Sequence, residues 1–301
     1  MAVKIVNRSI VGESSWQTYR WVILFLAPSL IGLLLFTLGP ILASLGLTLF
    51  QWDLISPPQF VGLQNFREVF ASSDFWQSLQ HTLSFVVGYI PLVMVAALGV
   101  ALLLNQRIRG LALYRTAFFI PVVSSWVVIS LLGKWVFNPR FGLVNYGLGL
   151  LGITGPNWLF SPQWAMPAII LTSVWKDTGF VMVMYLAGLQ GIPAEYREAS
   201  ALDGANARQH FRFITLPLLS PTTFFALVIS LIASFQVFDQ VWIMSEEGNR
   251  QATTVLVQQI VQNAFSYGRM GTAASMSWVL FVFIFVITLI QLRLQRQWVN
   301  Y

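Results

Sequence analysis

Long apolar runs separated by short polar intervals fill this chain. Stretches free of Asp, Glu, Lys and Arg cover 21–52, 75–106, 116–133, 141–175, 213–238 and 270–292. Each can hold the roughly 20 apolar residues with which a helix crosses a bilayer core. The dyad alternation of an outer-membrane barrel, in segments of about 10 residues, does not fit them. The pattern predicts an all-α polytopic membrane protein with six transmembrane helices, at about 21–49, 78–105, 112–137, 164–190, 217–245 and 271–294. The fourth is kept whole although Lys176 and Asp177 fall inside it, because 165–175 and 178–189 are each too short to cross alone.

Composition agrees with that frame: 56% of residues are hydrophobic and 9% charged, against about 25% charged in a soluble domain. The net charge of +6 would suit nucleic acid, but its distribution suits a membrane instead. With the N-terminus inside, Lys4, Arg8, Arg20, Arg107, Arg109, Arg115, Arg197, Arg208, Arg212, Arg293 and Arg296 share one side, and Arg67, Lys134, Arg140, Arg250 and Arg269 the other. Basic residues collect on the cytoplasmic side, so both termini and the 191–216 segment are expected there, and no nucleic-acid partner is. The expected organisation is a cytoplasmic segment 1–20, a transmembrane domain 21–295 and a tail 296–301. The first span is too long for a cleaved signal peptide.

The chemistry of catalysis is sparse. There is no cysteine, hence no disulfide framework or thiol nucleophile. His81 and His210 are far apart in sequence and on opposite expected sides, so no metal site is expected. No Gly-x-x-x-x-Gly-Lys-Ser/Thr loop occurs, so uphill transport would draw on an ion gradient or on a partner. The outer loops 51–74, 138–163 and 246–269 are rich in Pro, Gly, Asn and aromatic residues. Trp126, Trp135, Trp158, Trp164, Trp242 and Trp278 read as interfacial belt anchors, His81 as an outer interface residue and His210 as a cytoplasmic surface one.

One charged insert stands between the fourth and fifth spans. Ile192-Pro193 interrupts the helix, and Glu195 and Glu198 then lie early in a new one, where the helix dipole favours acids. Asp203-Gly204 ends it, and 205–213 restarts as a second short helix carrying Arg208, His210 and Arg212. Two helices bent about Gly204 fit either an amphipathic linker or a docking element.

Glu198-Ala199-Ser200, Gly204 and Ile214-Thr-Leu216-Pro217, lying between two spans, resemble the signature of the membrane-spanning subunits of bacterial ATP-binding-cassette importers. Phe60-Val-Gly-Leu-Gln-Asn65-Phe66, Tyr114-Arg-Thr-Ala-Phe-Phe-Ile-Pro121, Ala201-Leu-Asp-Gly204 and Phe238-Asp239 are similar to the carbohydrate-importer permeases of the maltose type. Ser245-Glu-Glu-Gly-Asn249 departs from their usual Thr-x-Gly-Gly-Pro turn. The resemblance implies a type I importer transmembrane domain in the inner cell membrane. Its partners would be a second homologous permease, two ATP-binding subunits that bind ATP and Mg, and an extracytoplasmic solute-binding protein; the chain itself carries no cofactor and is no enzyme. It further implies that Glu198, Ala199, Ser200, Asp203 and Gly204 form the element that couples to the ATPase, with Ala199 and Ser200 permitting close approach.

Charges within a bilayer are costly, so Lys176, Asp177 and Asp239 are expected to face the bundle interior or water. Asp177 and Phe180 share a helix face, and Ser230, Ser234 and Val237 form another stripe. Aligned on the family's motif, the solute-contacting positions of the maltose-type permeases fall on Lys176, Asp177, Phe180, Ser230, Ser234, Val237 and Asp239, a set that suits a sugar or sugar-derived molecule. The alternative for these residues is an ion-paired cluster with small residues for helix packing. The alternative for the chain is a secondary transporter without an ATPase, with a membrane-embedded enzyme a distant third.

Overall fold

The computed structural model describes residues 16–106, 109–245 and 249–298, and within them the chain is almost wholly helical. In order, the helices are α1 Trp16–Leu33, α2 Gly39–Leu47, α3 Gln64–Ala71, α4 Ser73–Leu104, α5 Leu111–Val123, α6 Trp126–Val136, α7 Leu143–Leu150, α8 Pro162–Gln190, α9 Ala194–Leu202, α10 Ala207–His210, α11 Leu216–Leu218, α12 Ser220–Phe235, α13 Asp239–Met244, α14 Arg250–Thr253, α15 Leu256–Val261 and α16 Met270–Trp298. Wide π turns at Leu34–Leu38 and Phe211–Thr215 join α1 to α2 and α10 to α11. A short antiparallel ribbon pairs β1 Phe50–Gln51 with β2 Gln59–Phe60, Phe50 opposite Phe60. The expectations for 1–15, for Arg107, for the turn at 246–248 and for 299–301 lie outside the described residues.

Four stretches are each long and apolar enough to cross a membrane unaided: Tyr19–Leu47, Ser73–Leu104, Pro162–Gln190 and Met270–Arg296. These are the first, second, fourth and sixth expected spans. The third and fifth are not straight. Leu111–Val123 and Trp126–Val136 meet at 102°, and Ala207–Leu218 meets Ser220–Phe235 at 62°. At the first bend two adjacent serines exchange helical bonding for local bonding: Ser124 Oγ donates to the Ile120 carbonyl (3.0 Å), while Ser125 Oγ accepts from the Val127 amide (3.1 Å). At the second, Pro221 in the first turn of α12 has no N–H to continue the helix before it. The fifth span also stops short of its expected end, since α12 closes at Phe235 and 236–238 are not helical. Hydropathy registers that this segment is apolar, not that its helix is continuous.

Helix α8 is the hub. Its most apolar window is 67% buried, against 28%, 22% and 0% for the windows of the other three unbroken spans. Its Lys176-Asp177 pair leaves the helix intact, as the length argument required. Phe85, Tyr89 and Val93 of α4 pack with Ile169, Met182 and Tyr185 of α8 in one apolar core. Close approach rests on small residues: a Cβ on Gly179 would overlap the Phe118 carbonyl of α5, and one on Gly188 would overlap Thr222. A second core joins Val69, Phe75, Phe235, Leu256 and Met276 from α3, α4, α12, α15 and α16.

At the ribbon end of the bundle, Asn65 does the stitching. It is 3% exposed; its Nδ2 donates to the Thr48 (2.8 Å) and Phe50 (3.0 Å) carbonyls and its Oδ1 accepts from Thr272 Oγ1 (3.4 Å). A single amide thus ties the end of α2, the ribbon, α3 and α16 together. Two tryptophans depart from the belt expectation. Trp158 is buried, donates to Asn145 Oδ1 (2.7 Å) and packs edge-on against Phe137 and Trp164, and Trp126 lines an internal cavity.

The glycine contacts yield a paired test. Gly179→Ala is expected to destabilise the protein by about 1–3 kcal/mol through overpacking against backbone, whereas Gly99→Ala, whose Cβ would meet nothing within 4 Å, should leave the melting temperature unchanged or slightly raised. Thermal unfolding of the purified protein in detergent reads both; equal melting temperatures for the two variants would refute the packing account.

Candidate functional site

The unwound segment 236–238 opens onto a cavity of about 200 Å³ between α4, α8, α12 and the start of α6 and α13. Non-helical backbone at membrane depth is tolerated where it is buried in protein or lines a cavity, and here it lines one. Asp177, Phe180, Ser230, Ser234, Val237 and Asp239 all border this space. Asp177 reaches it from α8 one turn from Phe180, Ser230 and Ser234 from successive turns of α12, and Asp239 from the first turn of α13. Tyr89 Oη donates to Asp177 Oδ2 at 2.9 Å, so one carboxylate oxygen is held and its direction fixed.

Lys176 does not join them. Successive residues on a helix point about 100° apart, and Lys176 turns toward α5: its Nζ donates to the Val122 carbonyl (3.0 Å) and lies 4.7 Å from the centre of the Trp126 ring. Val122 stands at the last turn of α5, where carbonyls lack helical partners and a cation is favoured. The lysine therefore caps the helix at the 102° bend, and Trp126, on the other side of that bend, is what it presents to the cavity. Sequence reasoning missed Tyr89, Trp126, Gln236 and Gln240 among the lining residues. Tyr89, a polar tip inside the long apolar run of α4, was the one visible signal; the others depend on where the helices break.

The 191–217 insert is the helix–Gly204–helix bend that its residues suggested. Gly204 has φ +76°, and around it the Ala205 amide donates to the Ser200 carbonyl (2.9 Å) and the Gly204 amide to the Ala201 carbonyl (3.1 Å), the paired bonds of a Schellman termination. Asn206 and Gln209 then form a reciprocal capping box for α10, at 2.8 and 2.9 Å. Glu198, Ala199, Asp203 and Gly204 are exposed. Ser200 is not: it is 7% exposed, and its Oγ donates to the Arg197 carbonyl (2.9 Å) and meets His210 Nδ1 at 2.8 Å. Its place is inside the bend, tying α9 to α10, rather than on the surface where a small residue would admit a neighbour. His210 is correspondingly half-buried rather than a plain surface residue. The exposed apolar tip is instead Leu202, 90% exposed.

A space of about 540 Å³ separates this bend from the C-terminal ends of α4 and α8, so the bend is a projecting element held at its two ends. Among the described residues no group of three His, Asp or Glu side chains gathers as a metal site requires.

A probable ABC transporter permease protein of Bacillus subtilis, YesP, is 39% identical over 282 residues, covering 92% of this chain and 91% of its own. The trehalose/maltose transport system permease protein MalF of Thermococcus litoralis is 32% identical over 292 residues, covering 97% and 99%. A chain of the bacterial alginate ABC transporter, crystallised in complex with an alginate pentasaccharide-bound periplasmic protein, superposes with a TM-score of 0.84 at 24% identity, over 95% of this chain and 98% of that one; this likeness is one of fold. Residues 70–299 match the family of binding-protein-dependent transport system inner membrane components, and the chain belongs to that family.

Proposed function

We propose that this chain is one of two permease subunits in an ATP-driven importer of a sugar or sugar-derived solute. The observation that carries the reading is the meeting of Asp177, Phe180, Ser230, Ser234, Val237 and Asp239 around one cavity at a break in the fifth span. Broken helices at membrane depth make solute sites because their freed polar groups and side chains face a shared space. The trehalose/maltose relative supports a carbohydrate, as do aromatic faces beside carboxylates and amides.

In this reading the Glu198–Gly204 bend lies on the cytoplasmic side with both termini, and seats in a cleft of an ATP-binding subunit. Glu198 and Asp203 offer charge to it, Ala199 close approach and Leu202 an apolar tip, while Ser200 keeps the lever stiff through His210. ATP and Mg belong to the two ATPase subunits, and an extracytoplasmic binding protein delivers solute at the opposite face. A second permease covers the first span, whose apolar window has no buried residue in this chain. The domain limits follow: cytoplasmic segment 1–20, transmembrane domain 21–295, tail 296–301.

Three outcomes are expected. Gly204→Asp should abolish uptake while membrane insertion is retained, since it adds a charged side chain to the exposed bend, where the Cβ has open space on this chain, at a φ of +76° that glycine adopts at least cost; wild-type uptake in that variant would sink the coupling role. An ATP-binding protein should copurify with the complex and be lost when Glu198→Ala and Gly204→Asp are combined. Its absence from the wild-type complex would favour transport without an ATPase, and its retention by the double variant would place the coupling elsewhere. Asp177→Ala or Asp239→Ala should cut solute-stimulated ATPase activity at least about tenfold, a loss of about 1.4 kcal/mol; an unchanged rate in both counts against solute contact.

A further inference from the structure

Resting on the importer reading, the charges around the cavity carry an inference about which solutes it takes. Two carboxylates, Asp177 and Asp239, line it, and among the described residues no Lys, Arg or His does. The cation next in sequence, Lys176, is engaged by the Val122 carbonyl and the Trp126 ring. Two further polar side chains in the lining are more than nine-tenths buried and have no hydrogen-bond partner among the described residues: Ser230, 3% exposed, and Gln240, 6% exposed. With no protein partner among the described residues, a hydroxyl and an amide lining the same small space are free to bond a ligand placed there. Serine and glutamine each donate and accept, while an ionised aspartate only accepts. With one oxygen of Asp177 already taken by Tyr89, the set presents more acceptors than donors and no positive charge.

The geometry points to a neutral, polyhydroxylated solute, and to exclusion of solutes bearing a carboxylate, sulfonate or phosphate. Sugar hydroxyls donate to Asp177 and Asp239 and exchange bonds with Ser230 and Gln240, and the apolar faces of a ring rest on Phe180 and Trp126. An anionic group in this subunit's share of the space meets two carboxylates and no cation among the described lining residues, the adjacent Lys176 being turned to the Val122 carbonyl and the Trp126 ring, and the like charges repel it. The volume of about 200 Å³ is below the 300–1,000 Å³ usual for a whole-ligand pocket, so this subunit's share of the site holds one ring or one end of a longer solute.

The experiment is a ligand-observed NMR titration of the detergent-solubilised permease–ATPase complex with the binding protein omitted, so that only the membrane site selects. The probes are trehalose, maltose and lactose, an aldobiouronic acid of matching size, and glycerol 3-phosphate. The wild-type complex is expected to bind at least one neutral disaccharide at least tenfold more tightly than the uronate or the phosphate ester, and Asp177→Asn with Asp239→Asn to narrow that ratio at least fivefold. Equal or tighter binding of either anionic probe by the wild type, or a ratio unmoved by the double variant, overturns the inference and leaves the sugar reading standing. Binding of none of the five overturns the sugar reading, and the inference with it.

Discussion

A charge carried into the middle of a bilayer-crossing helix has to find a partner, and in this protein two adjacent charges find theirs in different directions. Lys176 and Asp177 sit on neighbouring positions of α8, the most buried of the four unbroken spans, and the 100° step between them sends one toward the end of α5 and the other toward Tyr89 of α4. The lysine completes a helix terminus that the serine pair has cut short. The aspartate stays at the edge of an open space. That division sets Lys176 against the elbow between α5 and α6 and the Trp126 ring, and leaves Asp177 among the cavity's lining. Exchanging the order of the two residues would place a cation in the cavity and an acid against a carbonyl oxygen, where like partial charges repel.

Much of the architecture was legible because lipid simplifies the problem. With no water to satisfy the backbone, an apolar run of sufficient length has to be a helix, and α4, α8 and α16 lie close to where hydropathy placed them. The bend at Gly204 was equally legible, since Asp-Gly followed by Asn-x-x-Gln carries its own termination and capping chemistry. What was hidden lay in competitions that periodicity does not register. Ser124 and Ser125 could have remained in a straight helix as easily as broken it; in the fold both hydroxyls bond locally and Lys176 donates to the Val122 carbonyl beside them. The unwinding at 236–238 has no proline or glycine to announce it. The burial of Ser200 follows from His210 folding back across the bend, a contact that spacing alone does not reveal.

The two working parts are built on opposite principles. Around Gly204 every turn is locked locally, by paired backbone bonds, a capping box and a serine–histidine bridge, so the element can transmit displacement without absorbing it. Around the cavity the backbone leaves the helical path at 236–238, and polar side chains with unspent hydrogen-bonding capacity line the space. Under the proposed reading, stiffness where force would arrive and open valence where cargo would pass are separate demands, placed on α9–α10 and on the α12–α13 break.

The first span sets a condition on assembly. In water, an apolar helix without a burial site inside its own fold would drive aggregation; in a bilayer, lipid chains cover Phe25 and Phe36 as well as protein does, and the hydrophobic effect offers no preference between the two. Association of this helix with a neighbour is consequently decided by packing fit, interhelical hydrogen bonds and lipid entropy. The contacts of this helix can therefore be tuned by its shape without any change in how well lipid covers it.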